Sequence, residues 1–304
     1  MFQLKILGAN SATPAYGRHP TSQLLTVGNF YGLIDCGEGC QMQLLRYKAK
    51  ASKISHVFIS HLHGDHFYGL IGLLNTFSLN GRTEPLTIFG PSGLADIITV
   101  QLRHSHSVFK YKVNFVALEP DVSSCIYEND TLTVTTLPMD HRINCWGFLF
   151  REQPKPRRIN KALLSDDLSV PDLIALKEGK DLLHSDGTTR YRNDTLTLPP
   201  RARRSYAYCA DTRYLPSLAE AIQGVDLLYH EATFMHTELS LAAARYHSTT
   251  VQAASLAQQA QVGKLLIGHY SSRYHDLEPL LVEAQAVFTN TQLALEGRDY
   301  TLED

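Results

Sequence analysis

The chain has 304 residues, a length that fits one large α/β domain or two small ones. Hydrophobic residues make up 44% and charged residues 19%, the balance of a globular protein rather than a disordered or fibrous one. Net charge is −2 with 14 histidines counted neutral, which excludes a protein basic all over but not a local basic patch, and no apolar run reaches the roughly 18 residues of a membrane span.

The opening stretch, MFQLKILGAN, lacks the basic start and long apolar run of a signal peptide, so a cytoplasmic chain is expected. Phe2, Leu4 and Ile6 alternate with Gln3 and Lys5, the period of a strand. Gln23–Val27 and Tyr31–Asp35 flank Gly28-Asn29 and read as a hairpin. Glu38–Tyr47 carries Met42 and Leu45 at helical spacing. Ile54–Ser60 is a strand that runs into HLHGDH. A helix follows over Tyr68–Leu79, a strand over Leu86–Phe89, and a helix from Pro91 to His104, since proline suits a first helical turn. Strands are predicted at Val113–Ala117, Ser124–Tyr127, Leu132–Leu137 and Cys145–Arg151.

Residues 152–204 differ from their surroundings, with Pro154, Pro156, Pro171, Pro199 and Pro200 among clustered charge. They read as an arm inserted into one domain of residues 1–304, with helical order around Leu173, Ile174 and Leu176. Beyond it, strands at Tyr206–Ala210, Val225–His230 and Lys264–Gly268 alternate with helices at Pro216–Ile222, Thr249–Gln259 and Leu277–Phe288. Strands first and alternation afterwards predict sheets covered by helices on their outer faces. The five cysteines, Cys36, Cys40, Cys125, Cys145 and Cys209, are scattered and odd in number, and no disulfide framework is expected.

The strongest chemical signal is His61-Leu62-His63-Gly64-Asp65-His66, just past a strand end. Imidazole nitrogens and carboxylate oxygens suit zinc, and Gly64 lets the backbone turn between ligand pairs. Six residues cannot fill two metal sites alone. His141 in LPMDH, Asp211 in YCADTRY and His269 in LLIGHY each follow a strand end, where open α/β sheets gather their sites.

This pattern resembles the metallo-β-lactamase superfamily and, within it, the ribonuclease Z family. The further segments are LIDCGEGCQMQL, HEATF, HST and GHYSSRY. The resemblance implies an αββα sandwich with a projecting arm. It implies two zinc ions per subunit: His61, His63 and His141 would hold one, Asp65, His66 and His269 the other, and Asp211 both. Asp65 would accept the proton of the attacking water. His247 would donate a proton to the leaving oxygen, with Glu231 keeping it charged, and Asp35 would brace the ligand loop. The activity implied is removal of the 3′ trailer from precursor tRNA by a homodimer. Arg273 and the arm residues Lys155, Arg157 and Arg158 would meet RNA phosphates. The alternative is a small-molecule phosphodiesterase or another hydrolase of the superfamily.

Overall fold

The computed structural model of the chain describes residues 1–165 and 167–303. It divides into two compact units, one of Met1–Phe150 with Ser205–Glu303 and one of Arg151–Arg204. The first stretch supplies strands β1 (Phe2–Gly8), β2 (Ser22–Val27), β3 (Phe30–Cys36), β4 (His56–Phe58), β5 (Leu86–Gly90), β6 (Val113–Ala117), β7 (Cys125–Glu128), β8 (Leu132–Pro138) and β9 (Trp146–Glu152). Its helices are α1 (Cys40–Arg46), α2 (Gly64–Phe67), α3 (Leu70–Leu79) and α4 (Gly93–His104). The second unit holds β10 (Arg158–Ile159), α5 (Val170–Lys177), β11 (Leu182–Leu183), β12 (Thr189–Tyr191), α6 (Asn193–Leu196) and β13 (Thr197–Leu198). The chain then returns with β14 (Ser205–Cys209), α7 (Leu218–Ala221), β15 (Leu227–Glu231), α8 (Leu239–Arg245), α9 (Thr250–Gln259), β16 (Lys264–Gly268), α10 (Glu278–Gln285), β17 (Thr291–Leu293) and β18 (Asp299–Leu302).

Two seven-stranded sheets form the first unit. One has the order β18-β1-β2-β3-β4-β5-β6 and the other β17-β16-β15-β14-β9-β8-β7. In the first sheet β1, β2, β3 and β18 pair antiparallel, and β3 to β6 run parallel. The sheets face each other across an aromatic core. The Phe58 ring on β4 lies 5.4 Å from Phe148 and 5.3 Å from Phe150 on β9. Helices α1, α3 and α4 cover the outer face of the first sheet, packing Leu44, Leu73 and Ile98 against Leu33, Val57 and Ile88. Helices α9 and α10 cover the second with Ala253, Leu256 and Leu280, beside Leu228 and Leu266. Strands β2 and β3 are buried along their whole length. The architecture is the αββα sandwich of the metallo-β-lactamase fold. Among the described residues no helix is long and apolar enough to cross a membrane.

Local departures from the sequence reading have local causes. The helix expected from Glu38 starts at Cys40, because Gly39 sits at φ 82°, outside helical space. Strand β4 has only three residues, although Ile59 N–H still donates to Phe89 O at 2.8 Å. Helix α9 starts after Thr249, whose hydroxyl and Gln252 close a capping box.

The second unit buries Leu176, Leu182 and Leu196 together. Helix α5 is capped by Ser169 and Asp172. Where the chain enters and leaves this unit, Glu152 accepts from Arg204 Nη2 at 2.6 Å, Arg204 Nε at 3.0 Å and Lys155 Nζ at 2.7 Å. Burial alone would raise the Glu152 carboxyl, but the hydrogen bonds from Arg204 and Lys155 hold it at about 2, below the ordinary 4.5. A depressed carboxylate stabilises above its unfolded value, so this contribution is lost as pH falls from 4.5 through about 2. Glu152→Ala removes the acceptor of the bonds from Arg204 and Lys155 and should cost roughly 3 kcal/mol. Hydrogen exchange should show residues 152–204 opening more often in the variant. Equal protection in both proteins would remove this pair from the stability of the unit.

Candidate metal centre

All seven expected ligands lie in the first unit, His61, His141, Asp211 and His269 just past strand ends, His63 at the start of α2 and Asp65 and His66 on it, and their donor atoms meet. His61 Nε2, His63 Nδ1, His141 Nε2 and an oxygen of Asp211 form one group, each group having its atoms within 4.8 Å of one another. His63 Nδ1 is 3.0 Å from His61 Nε2 and 3.1 Å from His141 Nε2. Asp211 Oδ2 is 3.7 Å from His61 Nε2 and 3.9 Å from His141 Nε2. Asp65, His66 and His269 form a second group. Here Asp211 Oδ1 is 3.5 Å from His66 Nε2 and 3.1 Å from His269 Nε2, and Asp65 Oδ2 is 3.5 Å from both. One carboxylate therefore presents one oxygen to each group.

The donors are aimed by what holds their far sides. Asp35 Oδ2 takes His66 Nδ1 at 2.8 Å, the Ser60 hydroxyl at 2.8 Å and the Tyr208 hydroxyl at 2.5 Å, while Oδ1 takes Ser60 N–H at 2.7 Å. That leaves His66 Nε2 facing the centre. His141 Nδ1 is fixed by Tyr246 O at 3.0 Å. His269 Nδ1 meets the Thr233 hydroxyl at 2.8 Å, which donates to Glu231 Oε2 at 2.7 Å. Asp35 and His269 both carry positive φ, 53° and 59°, an uncommon conformation for residues with a side chain, kept here by these partners. Gly37 admits the Asp65 carbonyl: a Cβ there would lie 2.4 Å from that oxygen.

The residues fit a pair of divalent cations. His66 Nε2, His269 Nε2 and Asp211 Oδ1 are buried with no hydrogen-bond partner. Each such atom costs about 1–3 kcal/mol when left unsatisfied, and three pointing at one place is a ligand set rather than a packing accident. Donors about 2.0–2.1 Å from a tetrahedral zinc stand roughly 3.3 Å apart, close to the separations here. Burial would push Asp211 up, yet His269 and His66 outweigh it and hold its carboxyl well below the usual range.

His247 stands beside this centre, its Nδ1 2.8 Å from Glu231 Oε1. Glu231 is fully buried and also accepts Thr212 N–H at 3.0 Å and Thr233 N–H at 3.1 Å. Burial would lower the imidazole, but the Glu231 charge and hydrogen bond, with Asp211 and Asp65 behind them, raise it to about 9. A cavity of about 520 Å³ opens over these groups, lined by Asp65, His63, His247, His269, Tyr68 and Phe234 among others.

Arg273 lies over the Phe234 ring at 5.2 Å with Nη1 3.4 Å from Glu238. Lys155, Arg157 and Arg158 belong to the second unit, where Arg157 Nε donates to Thr197 and Arg158 Nε to Pro199 O. Sequence reasoning missed Thr233, whose role depends on which imidazole the fold brings to it, and the cavity residues Arg142 and Arg245.

A family model described as Anti-Pycsar protein Apyc1 matches residues 2–153. A ribonuclease Z of Cytophaga hutchinsonii is 47% identical over 303 residues, covering 100% of this chain and 97% of that one. A ribonuclease Z of Bacteroides fragilis is 46% identical, covering 97% of each. Among solved structures, human tRNase Z, short form, superposes with a TM-score of 0.72 at 25% identity, covering 99% of this chain and 100% of that one. A metallo-β-lactamase fold protein from Bacillus subtilis superposes at 0.69 with 21% identity, and shares the fold. Identity this high along the full length of both chains is common descent, so the chain belongs to the ribonuclease Z family of metal-dependent endoribonucleases.

Proposed function

We propose that the chain removes the 3′ trailer from precursor tRNA, leaving a 3′-hydroxyl on the tRNA and a 5′-phosphate on the trailer. The observation that carries this reading is whole-length identity with ribonuclease Z proteins. Convergence of six ligand-type side chains around Asp211 supports it. In this reading His61, His63 and His141 hold one zinc ion, Asp65, His66 and His269 hold a second, and Asp211 serves both. Bound there, the cations supply Lewis-acid polarisation of the attacked phosphate and a more acidic water at neutral pH.

The chain's own groups do the rest. Asp65 Oδ2, already bonded to Ala12 N–H at 2.8 Å, is held in place to accept the proton of the attacking water. Glu231 occupies His247 Nδ1, which leaves Nε2 to give its proton to the departing 3′ oxygen. Lys155, Arg157, Arg158 and Arg273 contact phosphates of the tRNA body without reading its sequence. The apolar side chains Leu45 and Leu79, 82% and 83% exposed on α1 and α3, support a homodimer through that face. A tRNA substrate places the work in the cytoplasm. Relatives matched over the whole chain favour RNA over a small phosphodiester.

The test uses a labelled precursor tRNA and the purified full chain. Cleavage just after the discriminator nucleotide is expected, with two zinc ions per chain by elemental analysis of the same sample. Removing metal with a chelator should stop cleavage, and adding zinc back should restore it. Cleavage that survives complete metal removal, or an uncut precursor beside a rapidly hydrolysed small phosphodiester, would overturn the reading.

A further inference from the structure

Two arginines stand beside the centre without a use in the scheme above. Arg142 and Arg245 line a cavity of about 410 Å³ together with His63, His141 and His247. Both are exposed, Arg142 in the segment that follows β8 and Arg245 at the end of α8. Other arginines of the first unit near the centre are committed. Arg18 donates to Asn10 and to the carbonyls of Tyr274 and His275, and Arg273 faces Glu238. Arg213 donates to Ala243 O at 3.0 Å, lies 3.5 Å over the Tyr246 ring and reaches Asp140 at 4.0 Å. Arg142 and Arg245 have no carboxylate partner among the described residues.

Their backbones are tied together. His141, which precedes Arg142, bonds through Nδ1 to the carbonyl of Tyr246, which follows Arg245, at 3.0 Å. Tyr246 turns in the left-handed region at φ 60°, ending α8 directly after Arg245. Arg213 clips the same two segments, through Asp140 on one side and Ala243 and Tyr246 on the other. Two unpaired guanidinium groups on two mutually braced segments, next to His247, make a preorganised site for an anion.

We propose that Arg142 and Arg245 clamp the RNA phosphate on the leaving-group side, the phosphodiester immediately 5′ of the nucleotide that keeps the new 3′-hydroxyl. The assignment of side rests on the cleavage reading, in which His247 protonates the departing 3′ oxygen. The nucleotide carrying that oxygen must then lie on the His247 side of the centre. Its own 5′ phosphate, one nucleotide away, is the anion that reaches this cavity. The clamp holds the tRNA end before cleavage and the product after it, with no chemistry of its own.

The test reads binding, so it does not depend on cleavage. The probe is a fluorescein-labelled acceptor-stem minihelix ending in a 3′-hydroxyl at the discriminator nucleotide. A second version carries a neutral methylphosphonate in place of the last phosphodiester. Anisotropy titrations compare the full chain with R142Q, R245Q and the double variant, with circular dichroism confirming the fold of each. The double variant should raise Kd for the all-phosphate probe roughly tenfold or more, and R142K and R245K should recover part of it. The salt dependence of log Kd should flatten by about one unit per arginine removed. Methylphosphonate substitution should weaken binding to the unaltered chain similarly and add nothing in the double variant, the non-additivity expected of two halves of one contact. Additive losses, or no binding of the all-phosphate probe by the unaltered chain, would overturn the clamp. If the non-additive pattern appears in a chain that leaves precursor tRNA uncut, the cleavage reading fails and the anion site stands.

Discussion

Asp211→Ala should lower precursor tRNA cleavage by about 10³-fold or more, because metal-supplied stabilisation amounts to several kcal/mol and each 1.4 kcal/mol is tenfold. The size of the effect follows from where the two oxygens sit. Oδ2 faces the His61–His63–His141 group and Oδ1 faces His66 and His269, so one substitution opens both groups at once. A ligand belonging to one group alone, such as His141, should leave the other group intact. Elemental analysis should therefore find fewer than one zinc ion per Asp211→Ala chain and about one in a His141→Ala chain. Asp211→Asn, which keeps the shape and one oxygen, should fall between the alanine variant and the unaltered chain in metal content. Cleavage within tenfold of normal, with both ions retained, would show that Asp211 bridges nothing.

His247→Ala should cost about 10²- to 10⁴-fold in kcat, the usual contribution of a positioned acid, with little change in KM. A merely structural histidine could give a similar loss, so the leaving group provides the distinction. A precursor with sulfur in place of the bridging 3′ oxygen departs as a thiolate and needs no proton. The alanine variant should cut it nearly as fast as the unaltered chain does. Glu231 supplies the pH dependence. With His247 as the proposed donor, which must be protonated, kcat should fall as pH rises through the His247 pKa, which Glu231 and Asp211 raise to about 9. Glu231→Gln removes the charge that raises it, and the alkaline fall should begin at lower pH. An unmoved alkaline limb in Glu231→Gln, or a thio-substrate as poorly cut as the normal one by His247→Ala, would detach His247 from proton donation.

The parts legible in the sequence were those whose signal is local. HLHGDH packs four donors into one loop, and β14 and β16 are apolar runs that announce the strand ends at Asp211 and His269. The two sheets followed from the order of strands and helices. What escaped was set by distant partners. Thr291–Leu293 and Asp299–Leu302 are too short to show a period, and become strands only because β16 and β1 offer free edges. Helix α8, LSLAAAR, has a stripe too weakly apolar to stand out, with Ala242 its one buried residue. Thr233 and Asp35 are legible as part of motifs, but the imidazole each one aims is chosen by the fold. Arg142 and Arg245 lie about a hundred residues apart and share a cavity because the His141–Tyr246 bond and Arg213 hold their segments together.

The pairing of Phe2 with Leu302, and of Lys5 with Asp299, sets β1 against a strand far along the chain from it. As the polypeptide leaves the ribosome, β1 can zip onto β2 within moments, yet its other edge stays bare until Asp299–Leu302 has been made. During that interval the exposed rim can recruit a neighbouring nascent chain, and such non-local closure is slow. A stop codon ahead of Asp299 would make the bare rim permanent, and aggregation during synthesis should then precede any defect in catalysis.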